Sequence, residues 1–131
     1  MVPRMEKELI LQATGPLLAI CRLPVDADLP EWAFGKGFWS VTRSDQEISV
    51  VCAQDQVPRD VAADRQWRAF RVKGTLDLNL TGILYRLLEP LARGGISVFT
   101  LSTYDTDYLM VKEDRYSEAV SLLGNICTIE S

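Results

Sequence analysis

Two stretches of this chain carry side chains able to hold a small polar molecule. The first is Gly74-Thr75-Leu76-Asp77-Leu78-Asn79-Leu80-Thr81-Gly82-Ile83-Leu84, which leads from a strand-like run into a helical stripe. A helix starting there presents unpaired N–H groups and the positive end of its macrodipole, a seat for a small carboxylate. Gly82 allows close approach, Asn79 and Thr81 offer adaptable polar groups, and Asp77 offers an acceptor for an ammonium group. On the residues alone, Thr81 or Asn79 capping the helix while Asp77 faces water is an equally open arrangement. The second stretch is Ser102-Thr103-Tyr104-Asp105-Thr106-Asp107-Tyr108. Its carboxylates Asp105 and Asp107, two residues apart at a strand edge, could grip a cation or an amine. The same residue types also build turns through their own backbone hydrogen bonds.

Other chemistries are excluded by what is missing. The chain has no histidine, which removes Ser-His-Asp and Cys-His nucleophile systems and every histidine-ligated metal. A general base would have to be Asp, Glu, Lys or Cys, and none of these recurs at a useful spacing. No enzyme activity, metal or cofactor is expected. Cys21, Cys52 and Cys127 are an odd set without close pairs, each among apolar neighbours. They read as buried free thiols in a reducing compartment. Gly35-Lys36-Gly37 lacks the spacing of a phosphate-binding glycine loop and reads as a hairpin turn. Trp32, Phe34, Phe38 and Trp39 cluster beside it as core or as an oligomer contact.

Charge points the same way. Fourteen Lys and Arg against 18 Asp and Glu leave a net charge of −4, unsuited to binding phosphate backbones. Arg65, Arg68 and Arg71 then read as a solvated strand face. An RNA-binding sheet would need aromatics interleaved with basic residues, whereas Ile96–Thr103 offers Phe99 alone and no basic residue. No apolar run approaches the roughly 18 residues that span a bilayer. The polar start Met-Val-Pro-Arg-Met-Glu-Lys-Glu does not suit a signal peptide. A cytoplasmic protein with neither nucleic-acid nor membrane partner is expected.

The elements that must position the two stretches follow from periodicity. Glu8–Ala13 and Leu17–Leu23 read as strands broken by Thr14-Gly15-Pro16, and Leu29–Phe34 as a single helical turn. Phe38–Arg43 and Glu47–Ala53 flank a turn at Ser44-Asp45-Gln46, a hairpin. Val57–Asp64 is expected to be a short helix with Pro58 in its first turn. Trp67–Lys73 alternates as a half-buried strand. Ile83, Leu84, Leu87, Leu88, Leu91 and Ala92 then form a helical stripe that contains Pro90 and stops at Gly94-Gly95. Ile96–Thr103 and Asp107–Lys112 form a second hairpin. Asp114 is the expected N-cap of a helix through Tyr116, Ala119, Val120 and Leu123 that ends at Gly124, and Ile126–Ile129 is the closing strand.

Residues 67–129 thus read β-α-β-β-α-β, the ferredoxin-like plan: an antiparallel four-stranded sheet with both helices on one face. The fold class is α+β, built from tandem units of this kind. Residues 1–64 form a degenerate N-terminal unit whose first helix is cut to about one turn, and residues 65–131 form the complete C-terminal unit. The strand at Trp67–Lys73 suits either half, or an exchange with the strand at Glu8–Ala13.

The run Leu80-Thr81-Gly82-Ile83-Leu84, then Pro90-Leu91-Ala92, Gly95-Ile96-Ser97-Val98 and Ser102–Val111, resembles ACT domains. More narrowly, it is similar to bacterial ACT-domain proteins related to the CASTOR-type arginine sensors of animals. Cys21-Arg22-Leu23-Pro24 and Phe38-Trp39-Ser40-Val41-Thr42 resemble the degenerate first unit of those proteins. The resemblance implies a regulatory protein without catalysis of its own that binds an amino acid where two units pair. By position, Asp77, Thr81, Gly82 and Ile83 match the binding loop, and Ser102, Thr103 and Asp107 match the neighbouring strand and hairpin. Asn79 and Asp105 join them from the residue reading, the acidic pair Asp105 and Asp107 favouring a cationic amino acid. One departure is that Asp77 precedes Gly82 by five residues with no proline between, where the common pattern has Asp shortly before Pro-Gly. The expected partners are an amino acid, a second copy paired through the C-terminal units, and a regulated protein. A docking module with an unoccupied ancestral pocket is the alternative.

Overall fold

The computed structural model describes residues 9–73 and 82–131. The chain divides into two compact units. Unit 2 is the contiguous stretch Pro16–Trp67, and unit 1 combines residues 9–15 with Arg68–Ser131. The strands are β1 (Ile10–Ala13), β2 (Leu18–Leu23), β3 (Ser40–Arg43), β4 (Ile48–Ala53), β5 (Ala63–Lys73), β6 (Phe99–Ser102), β7 (Asp107–Lys112) and β8 (Thr128–Glu130). The helices are α1 (Ile83–Arg93) and α2 (Tyr116–Leu123).

In unit 1 the strand order is β6-β7-β5-β1-β8. The antiparallel ferredoxin-like arrangement is present, with one insertion. β1 pairs antiparallel with β5, Ile10 opposite Lys73 and Ala13 opposite Phe70, and its other edge pairs parallel with β8. β1 therefore stands between β5 and the closing strand, where the sequence predicts a sheet of four. In compact units, residues 9–15 group with the second half of the chain. β5 is longer than the expected Trp67–Lys73. Its Ala63–Trp67 segment lies in unit 2 and Arg68–Lys73 in unit 1.

The core of unit 1 explains its helices. Ile83, Leu87 and Leu91 recur at helical spacing and are buried with Leu11, Phe70, Val72, Leu109, Val111, Ala119 and Leu123. Pro90 lies within α1. The end of α1 is closed by Arg115, whose guanidinium donates to Gly94 O at 3.1 Å and Gly95 O at 3.4 Å, placing a cation where the macrodipole is negative. The same side chain bonds Glu118 at 2.8 Å. Anchored this way, Glu113–Arg115 forms a 3-10 turn, and the residue flanking α2 is Arg115 rather than the expected cap Asp114. β6 is shorter than expected, because residues 96–98 lie outside any strand.

Unit 2 orders its strands β3-β4-β2-β5. The expected hairpin is present, its turn fastened by Ser44 Oγ accepting from the N–H groups of Gln46 and Glu47. Ala19, Cys21, Ile48, Val50 and Cys52 form one buried sheet face covered by Ala33 and Val57. The expected turn of helix is the 3-10 turn Glu31–Ala33. The expected helix over Val57–Asp64 does not form. A 3-10 turn covers Gln54–Gln56 instead, and Ala63 and Asp64 pair with Cys21 and Ile20 of β2. Sheet pairing satisfies backbone groups that a short, proline-started helix would leave open. Phe34 and Trp39 are exposed and pack edge to face at 4.8 Å, outside the core.

Two of the three arginines of β5, Arg65 and Arg68, are fastened rather than merely solvated. Arg65 donates to Gln54 O and Pro58 O. Arg68 pairs with Glu113 at 3.2 Å and lies 4.0 Å over the Tyr116 ring, which stacks on Phe70.

All three cysteines are free and buried. Burial pushes Cys52 and Cys127 up to about 11 and also raises Cys21. Cys127 Sγ donates to Leu123 O at 3.3 Å. A thiol whose proton is held more tightly in the fold favours the folded state fully below its unfolded pKa. That contribution is lost as pH rises from about 9 to about 11. Urea midpoints should therefore fall between pH 8 and 10.5, and Cys127→Ala should flatten the fall. An equally steep decline in the variant would refute the assignment. Leu87→Ala, which hollows the unit 1 core, should cost about 2–5 kcal/mol, read as a lower urea midpoint at unchanged slope.

Candidate functional site

Gly82 sets the start of α1. Its φ of 81° lies in the left-handed region, which a β-carbon disfavours. Its carbonyl accepts the N–H of Arg86 at 2.9 Å. Glycine supplies no side-chain cap, so the N–H groups of Ile83, Leu84 and Tyr85 have no acceptor within the helix. The Ile83 side chain turns into the core. Asp77, Asn79 and Thr81 lie outside the described residues.

The hairpin between β6 and β7 brings Ser102, Thr103, Asp105 and Asp107 together. Ser102 and Asp107 are cross-strand partners, and the serine hydroxyl donates to the carboxylate at 2.6 Å. Thr103 closes the turn: its N–H donates to Thr106 O at 2.8 Å and its hydroxyl to the same oxygen at 3.1 Å. In return, the Thr106 N–H donates to Thr103 Oγ1 at 3.3 Å. Tyr104 and Asp105 form the exposed tip. Turn chemistry, open in the sequence reading, is what these side chains do here.

Thr106 was missed. It is the one buried polar or charged residue among the described residues, and its hydroxyl donates to Val72 O at 2.7 Å. That bond ties the hairpin to the end of β5, one residue before Lys73, the last residue described before Gly82. The sequence signal was faint: one threonine in a polar hairpin whose pattern does not show which member turns inward. Lys73 is held by Glu130 at 2.7 Å. Among the described residues no group of three or more Cys, Asp or Glu side chains is arranged to hold a metal ion, and no helix is long and apolar enough to cross a membrane.

A family model described as an ACT domain matches residues 62–125, and a second model, of an N-terminal domain, matches residues 17–60. Among solved structures, protein Atu0741 from Agrobacterium tumefaciens is 35% identical, with 92% of this chain and 91% of that chain covered and a TM-score of 0.88. VC0802 from Vibrio cholerae is 14% identical, with 94% and 93% covered and a TM-score of 0.78. The ligand-free regulatory subunit of aspartate kinase from Thermus thermophilus is 9% identical, with 90% and 95% covered and a TM-score of 0.56. The last two likenesses show a shared fold. The match to Atu0741 extends through both units at an identity that marks kinship, so the chain belongs to the same family as Atu0741 and carries an ACT domain over residues 62–125.

Proposed function

We propose that this protein is a regulatory module that binds a free amino acid beside the start of α1 and acts through a partner, without catalysis of its own. The observation that carries the reading is the buried Thr106–Val72 hydrogen bond, which fastens a polar hairpin to the strand end that feeds α1. A zwitterion needs donors for its carboxylate and acceptors for its ammonium group. The N–H groups of Ile83 and Leu84 at the start of α1 supply the first, and Asp77, Asp105 and Asp107 the second. Asn79, Thr81, Gly82, Ser102 and Thr103 complete the proposed site. The ACT match and the likeness to a regulatory subunit of aspartate kinase support a regulatory role. The resemblance to CASTOR-type sensors makes arginine the first amino acid to test. In this reading unit 2 is a reduced second ACT unit, the protein works in the cytoplasm, and two copies pair through their C-terminal units to enclose the ligand.

A second reading, a docking module with an empty pocket, draws on the internal bonding of the hairpin. Ser102 is spent on Asp107 and Thr103 on Thr106. A thermal-shift screen of the twenty amino acids at 1 mM separates the two. A ligand with a Kd near 10 µM adds about 2.7 kcal/mol of stability at that concentration, whereas a flat panel favours the docking module. If an amino acid binds, Asp107→Ala should weaken it about tenfold, the effect of one charge-assisted hydrogen bond. Unchanged affinity in both Asp77→Ala and Asp107→Ala would rule out these contacts. Thr106→Val leaves Val72 O without its donor and should cost about 1–3 kcal/mol. In calorimetric titrations under folded conditions it should also weaken the ligand, whereas undiminished binding would show that the tether does not shape the site.

A further inference from the structure

The positions of α1 that do not face the core border a second feature. Tyr85, Arg86, Glu89 and Pro90 on one side, with Leu9 and Ile126 on the other, line a cleft of about 130 Å³. It adjoins a hollow of about 310 Å³ that shares Pro90, Arg93 and Ile126. Two kinds of surface meet in the cleft. Leu9, Pro90 and Ile126 are apolar, while the charges above them are unequally matched. Arg93 pairs with Glu89 one helical turn away at 3.4 Å. The Arg86 guanidinium has no hydrogen-bond or ion-pair partner among the described residues.

We propose that this cleft binds a small carboxylate carrying a branched apolar body. The carboxylate sits on the Arg86 guanidinium and the body against Leu9, Pro90 and Ile126. Guanidinium is the side chain best shaped for a carboxylate, which it grips with two parallel N–H bonds. Because Glu89 is engaged by Arg93, the local excess charge is positive on a chain that is negative as a whole. The volume limits the guest: cavities of about 150 Å³ hold a molecule the size of benzene, so a body of four or five carbons fits and a large one does not. The site uses none of the residues proposed above for the amino acid and stands or falls separately.

The test is an NMR titration of the full-length 15N-labelled protein with 3-methylbutanoate, set against the neutral isostere 3-methylbutanamide at the same ionic strength. Saturable shifts are expected at the amides of Leu9, Tyr85, Arg86, Glu89 and Ile126. The carboxylate should bind about fivefold more tightly than the amide, the discrimination expected of a partly exposed ion pair. Arg86→Gln should remove that preference while circular dichroism shows the helix intact. Absence of saturable shifts, equal affinity for acid and amide, or an undiminished preference in the variant would each overturn the proposal. Shifts confined to Gly82–Leu84 and Ser102–Asp107 would overturn it too, and would place the carboxylate at the amino-acid site instead.

Discussion

The pairing of Ile10–Ala13 with Phe70–Lys73 is the contact on which the architecture of unit 1 depends. β8 bonds to β1 and not to β5, so without β1 the closing strand has no edge to join. The same pairing fixes the faces of the strands. Leu11 stands opposite Val72 with both fully buried, while Ile10 and Gln12 face the other way. A slip of one residue would turn this whole set outward. The four-residue strand β1 thus sets the register of β5, and with it the point at which the chain departs for α1.

From that point two unlike devices shape the proposed site. One is the left-handed Gly82, which opens α1 without a side-chain cap of its own. The other is the buried hydroxyl of Thr106, which holds the hairpin against the end of β5. A hydroxyl in an apolar core is costly unless bonded, so Thr106 can stay there only while Val72 O accepts its proton. Neither device involves a titrating group.

How much of this was legible depends on how local the determinants are. α1 and both hairpins were readable because their signals lie within a dozen residues: Ile83, Leu87 and Leu91 at helical spacing, Ser44-Asp45-Gln46 and Tyr104-Asp105-Thr106 at the turns. The place of β1 was not, since its partner is some sixty residues away and alternation alone names no neighbour. Val57–Asp64 reads as helix in isolation, but Ala63 and Asp64 are recruited by β2. Asp114 has the right chemistry for a cap, yet Arg115 takes the decisive contacts by reaching the carbonyls at the end of α1. Of the site, the sequence identified the hairpin residues that build its turn but not Thr106, whose importance comes from burial. It was silent on the cleft beside α1, whose walls come from three separate segments.

The interrupted layout of unit 1 bears on how the chain acquires its shape during synthesis. Unit 2 is one unbroken stretch, so every partner its strands need has left the ribosome soon after Trp67. β1 emerges earlier still, but β5 reaches it only after unit 2 has been made, and β8 follows β1 by more than a hundred residues. Bringing together such distant segments is entropically slow. β1 therefore waits with an exposed hydrogen-bonding edge while the segments between it and β8 are being made, and such edges invite pairing with other chains.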